Sequence, residues 1–140
     1  MQRRPGHLLE TFVIIAALST PLLAHHSAAN YDLSKETTLT GSVVEWIWQN
    51  PHCILRFEAK DQDGSARTWT VEVQNPTSMT ARGWTRRMFA VGDAVTVSFH
   101  PERAGAPTGL ITKVGLPNGK TFEADPLGNA TAAARPVGSN

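Results

Sequence analysis

A chain of 140 residues, 41% hydrophobic, has room for one domain with a stabilising core of its own. Its 13 Lys+Arg and 12 Asp+Glu leave a formal charge of +1, without the basic excess that marks a nucleic-acid-binding domain. One cysteine, Cys53, excludes an internal disulfide, so the core must hold the fold unaided.

Residues 1–24 read as a secretory signal peptide. Arg3 and Arg4 form a basic start, residues 11–24 run without charge, and small Ala24 suits the last position before cleavage. The alternative is a retained anchor, but that run is short against the ~20 residues that span a bilayer. Export to the periplasm or beyond is the expectation, with no membrane contact after cleavage. Loss of Arg3, Arg4 and Glu10 takes the basic count from 13 to 11 and the acidic count from 12 to 11, so the mature chain is neutral.

Residues 25–36, beginning His25-His26-Ser27, are rich in small side chains and lack periodicity, which predicts an extended N-terminal arm. A β-like run follows over 38–48, then Gln49-Asn50-Pro51-His52, then a second run over 53–59. Asn-Pro initiates turns, because proline fixes its own φ and biases Asn50 away from the helical region. Period-two alternation places Leu39, Gly41, Val43 and Ile47 on one face of the first run. Thr40, Ser42, Val44, Trp46 and Trp48 fall on the other, and His52 joins the tryptophans near the turn. In the second run Cys53, Leu55 and Phe57 form the core face.

Lys60-Asp61-Gln62-Asp63-Gly64 is a turn into a third strand, 66–74, with Trp69, Val71 and Val73 inward and Glu72 outward. Asn75 as cap, Pro76 at the first helical position and Gly83 at the stop predict a helix of about two turns. Trp84, Met88 and Phe89 are expected beneath it. A fourth strand over 94–100 turns Val95, Val97 and Phe99 inward, and a fifth covers 110–116. A short extension over 121–124 completes a domain spanning 37–124, and the Ala/Gly/Pro/Asn-rich residues 125–140 read as a disordered tail. Three strands, one short helix, then more strands predict an all-β fold. It is a small five-to-six-stranded OB-like barrel with its helix between strands three and four.

His25-His26-Ser27, Gly41-Ser42-Val43, Asn50-Pro51-His52 and Gly92-Asp93 together resemble an uncharacterised family of small exported bacterial proteins. Those proteins share a mature His-His-Ser start, a Gly-x-Val strand, an Asn-Pro-His turn and a Gly-Asp before a late strand. The resemblance runs from His25 to about Leu116. It implies a periplasmic address and an OB-like domain, and it implies no activity or ligand.

The residues themselves suggest a metal. A mature N-terminal His25 offers an α-amine and an imidazole from one residue, and nitrogen donors suit Cu(II), Ni(II) or Zn(II), copper most strongly. His52, His26 and His100 are candidate further ligands. The competing reading leaves these histidines on the surface, with His52 hydrogen-bonded inside its own turn. Trp46, Trp48 and Asn50 could instead bind a small molecule or a partner protein, unless the arm or helix covers the rings. No Ser or Cys stands in a recognisable nucleophile motif, and alternation sends Cys53 and His52 to opposite faces, so a hydrolase ranks last.

Overall fold

The computed structural model describes residues 26–61 and 63–125, so the predicted signal peptide, His25 and all but the first residue of the predicted tail lie outside the described residues. Six strands alternate with two short helices: α1 (His26–Ala29), β1 (Thr37–Ile47), β2 (Cys53–Lys60), β3 (Ala66–Val73), α2 (Pro76–Thr80), β4 (Ala94–Pro101), β5 (Thr108–Gly115) and β6 (Thr121–Glu123). The sheet order is β3-β2-β1-β4-β5-β6, and parallel pairing of Thr70–Glu72 with Thr108–Leu110 joins β3 to β5. That last ladder closes five strands into a barrel, and β6 extends it as a sixth. The fold is the small all-β barrel that the element order predicts, with α2 between strands three and four.

The core is the inward half of each alternating strand. Leu55, Phe57, Val71, Val97, Phe99, Ile111 and Val114 are fully buried, and Phe57 and Phe99 meet edge to face at 6.4 Å. The predicted inward residues of β2, β3 and β4 are buried, as is Val43 of β1, while Leu39 packs against the cluster from its rim and Ile47 is only part-buried. Long β1 serves two neighbours, pairing with β4 over 37–42 and with β2 over 41–47. Gly41 stands where both ladders meet. A Cβ there would collide with the Glu58 carbonyl oxygen and lie 3.0 Å from the Ala59 Cβ, so only glycine lets the strands approach this closely.

α2 closes one end of the barrel. The Asn75 side chain accepts from the Ser78 N–H at 3.0 Å and Pro76 opens the helix, as the capping pattern predicts. The helix stops at Thr80, sooner than predicted, and Gly83 then takes a φ of 83° to turn the chain inward. Met79 and Trp84, both fully buried, plug the opening beneath it. The Trp84 indole N–H donates to the Glu123 carbonyl at 3.0 Å. Asp125, the first residue of the predicted tail, is pinned here: its carboxylate pairs with Arg82 at 3.2 Å and its carbonyl accepts from Gln74 at 2.7 Å.

Two local expectations are corrected. The arm is not extended throughout, since residues 26–29 form one helical turn before the chain straightens. The larger correction concerns β1. Val43 pairs with Phe57 but Glu45 pairs with Arg56, so Val44 is an extra residue, a β-bulge. One inserted residue reverses which face each later side chain occupies, because the side-chain period of a strand is two. Trp46, opposite buried Leu55, therefore turns inward, while Ile47, opposite Ile54, turns outward.

Candidate functional site

The bulge dissolves the predicted tryptophan face. Trp46 packs against the core in a run of aromatic contacts, with ring centres 5.2 Å from Phe89, 5.6 Å from Trp48 and 6.0 Å from Trp84. Its indole N–H donates to the Thr85 carbonyl at 3.1 Å, so the loop after α2 covers it. Trp48 also packs against the core. Neither ring shares an outward face with His52, both are part-buried, and Asn50 is exposed at the cis Asn50–Pro51 bond.

His52 belongs to a different cluster. Cys53, the first residue of β2, points inward and is fully buried, so His52 before it lies on the outer surface. Ile54 and Glu72 face each other across β2 and β3 on that same outer side. The His52 Nδ1 lies 3.1 Å from the Glu72 carboxylate. An ionised carboxylate only accepts, so Nδ1 carries the proton and the lone pair of the neutral ring resides on Nε2.

Glu72 also has Tyr31 near it. The backbone of the arm is tied down beside the end of β4, where Tyr31 bridges to Glu102, Asp32 N–H donates to the Pro101 carbonyl at 2.8 Å and Arg103 N–H to the Asn30 carbonyl at 2.9 Å. From there the Tyr31 phenol lies within electrostatic reach of Glu72. Tyr31 is 9% exposed. Burial first, then the negative charges of Glu72 and Glu102, push its phenol well above the ordinary value of ~10.

His100 stands on the same outer surface, because Leu110 pairs with Glu72 on one side and with His100 on the other. Its Nδ1 donates to the Lys35 carbonyl at 2.6 Å, which again leaves Nε2 with the lone pair. Neither His52 Nε2 nor His100 Nε2 has a partner among the described residues. His26 opens α1, on the arm that Tyr31 docks, and His25 lies outside the described residues. Among the described residues no group of three His, Cys, Asp or Glu stands ready to hold a metal, so a site would need the mature terminus to complete it. Cys53 contributes nothing to this surface. Burial raises its thiol pKa, which leaves it the inert core residue that alternation predicts.

Sequence reasoning missed Tyr31 and Glu72. The available signal for Tyr31 was its oddity: it is the only tyrosine of the chain, set in an arm of small and polar residues. Glu72 carried no signal, since an outward carboxylate on a half-buried strand is ordinary. No helix among the described residues is long and apolar enough to cross a membrane. A family model described as a family of unknown function, DUF6152, matches residues 13–112. No curated protein and no solved structure matches the chain.

Proposed function

The chain belongs to the DUF6152 family, and from its surface chemistry we propose that it is an exported, periplasmic, non-enzymatic barrel that binds a transition metal such as Cu(II). The ligands are the α-amine and imidazole of a mature N-terminal His25 together with His52, and His26 or His100 supplies a fourth nitrogen. The observation that carries this reading is the state of the two barrel histidines. Each donates its Nδ1 proton to a fixed acceptor, Glu72 or the Lys35 carbonyl, and so presents Nε2 as a free donor atom. Metal-ligating histidines are commonly held in this way, by a carboxylate or carbonyl on the second ring nitrogen. Docking of Tyr31 supports the same reading. The arm's backbone is tied beside the end of β4, and six further residues at ~3.3 Å each let His25 reach no more than about 20 Å from Tyr31.

Copper binding weakens in acid, because protons compete for the imidazole nitrogens. The test starts with mass spectrometry of the exported protein, which should show a chain beginning at His25. Cu(II) titration followed by tryptophan fluorescence should then saturate at one equivalent. Placing one alanine before His25 turns its amine into a peptide nitrogen and leaves every side chain in place. Equal copper affinity for that variant would remove the terminal chelate. Failure of the native mature chain to bind copper, nickel or zinc would remove the metal reading altogether.

A further inference from the structure

We infer that the outer face of the barrel carries a docking groove over Gly115, Leu116 and Pro117, and that it takes an extended, acidic segment of a partner protein with apolar side chains. The inference is independent of the metal reading, since no histidine lines the groove. Thr40, Thr96 and Gly115 stand side by side on β1, β4 and β5, because Thr40 pairs with Thr96 and Thr96 with Gly115. Their strand neighbours Val95, Val97 and Val114 are buried, so this row faces outward. The two threonine hydroxyls hydrogen-bond to each other at 3.0 Å, and Gly115 has no side chain to fill the place beside them. A depression of about 240 Å³ results, walled by Leu116 and Pro117. A second cavity of about 260 Å³ shares Ala94, Leu116 and Pro117 with it and continues to Met88 and Asn118.

Gly115 differs from the glycines that the fold needs. A Cβ at Gly41 or Gly109 would collide with the Glu58 backbone or the Phe99 ring, whereas at Gly115 it would meet nothing nearer than Thr96 at 3.9 Å. The barrel does not require glycine there, and a strand glycine also serves where a ligand or another backbone comes close. Each recess is smaller than the ~300–1,000 Å³ of a small-molecule site, and two adjoining recesses suit successive apolar side chains of an extended segment. Charge decides what else that segment carries. Arg86 and Arg87 directly precede Met88 of the groove, both exposed and without an ion pair among the described residues, and Lys120 lies two residues past Asn118. The one carboxylate in the lining, Asp93, already accepts from the Ala90 N–H at 2.8 Å. Cations at the rim and an engaged carboxylate within favour an acidic occupant. A membrane surface fits less well. Lipid docking needs a projecting apolar face, and here the lining is recessed, with only Val91, 79% exposed, projecting from the stretch between Met88 and Asp93.

The experiment pans a phage-displayed library of random linear peptides against the native chain and carries the recovered peptides into fluorescence-anisotropy titrations. Recovered sequences should combine Asp or Glu with apolar residues at alternate positions. Gly115→Leu fills the depression without meeting backbone, so it should keep a native melt and bind those peptides more weakly by roughly tenfold or more. Arg86→Glu combined with Arg87→Glu changes exposed charge and leaves the recesses as they are, so it tests the groove even where Gly115→Leu fails to fold. That double variant should weaken binding several-fold, and the loss should shrink as added salt screens the rim. Recovery of no specific peptide overturns the proposal, as do peptides that bind the variants and the native chain equally. Anionic phosphatidylglycerol vesicles that bind the native chain, in a way Gly115→Leu abolishes, would make the occupant a membrane. A dimer in sedimentation that Gly115→Leu dissolves would make it a second copy, and either result overturns the partner segment.

Discussion

Trp46→Ala separates the bulged strand from the regular one that simple alternation predicts. On a regular β1 the indole would face outward and its loss would cost almost nothing. In the structure it turns toward Leu55 and touches Trp48, Trp84 and Phe89. Truncation removes roughly 100–150 Å² of buried apolar surface, about 2.5–4 kcal/mol at ~25 cal/mol per Å². Because the ring is only partly buried, the lower end applies, about 2–3 kcal/mol, with the Thr85 hydrogen bond contributing little at an exposed carbonyl. Urea unfolding followed by far-UV circular dichroism measures it. With a slope of ~2 kcal/mol per molar, the midpoint should fall by about 1–1.5 M. Ile47→Ala is the counterpart, since regular alternation buries Ile47 whereas the observed register faces it outward against Ile54. A native midpoint for Trp46→Ala together with a large loss for Ile47→Ala would refute the bulge at Val44 and everything inferred from it about the tryptophans.

Two further outcomes follow from burial and titration. Val71, fully buried on β3 beside the closing ladder, should not tolerate Asp. An unpaired buried charge costs several kcal/mol against a total stability of ~5–15 kcal/mol, so Val71→Asp should show no cooperative melt, and a melt at the native temperature would overturn the strand register. Tyr31 has a raised folded pKa, so its contribution is fully present below the unfolded value of ~10 and is lost as pH rises from there through the higher folded value, at about 1.4 kcal/mol per pH unit. As the only tyrosine, it can be followed by tyrosinate absorbance. It should ionise above 10 and in step with loss of structure, and reversible ionisation at ~10 in the folded chain would show that the phenol is not buried.

The barrel itself was legible in the residues. Alternating Leu55 and Phe57, Val71 and Val73, Val95, Val97 and Phe99 set the strands and their inward faces, because burial on one side of a pleat leaves a period of two in any sequence. Asn75, Pro76 and Gly83 marked the helix by local backbone requirements that act over a few residues. Those signals are short-range. The bulge at Val44 was not legible, since an extra residue in one strand shows itself only against its partner, and Val44 reads as well in a regular strand. The partners of His52 were hidden for a related reason. Glu72 lies 20 residues from His52, and Tyr31 belongs to an arm with no pattern of its own. Their meeting depends on β2 pairing with β3 and on the arm lying along the end of β4, which the closed barrel alone brings about. The sequence by itself determined the inward faces of the regular strands and which histidines are available, and tertiary structure decided the faces of Trp46 and Ile47, which nitrogen each barrel histidine presents and which carboxylate holds His52.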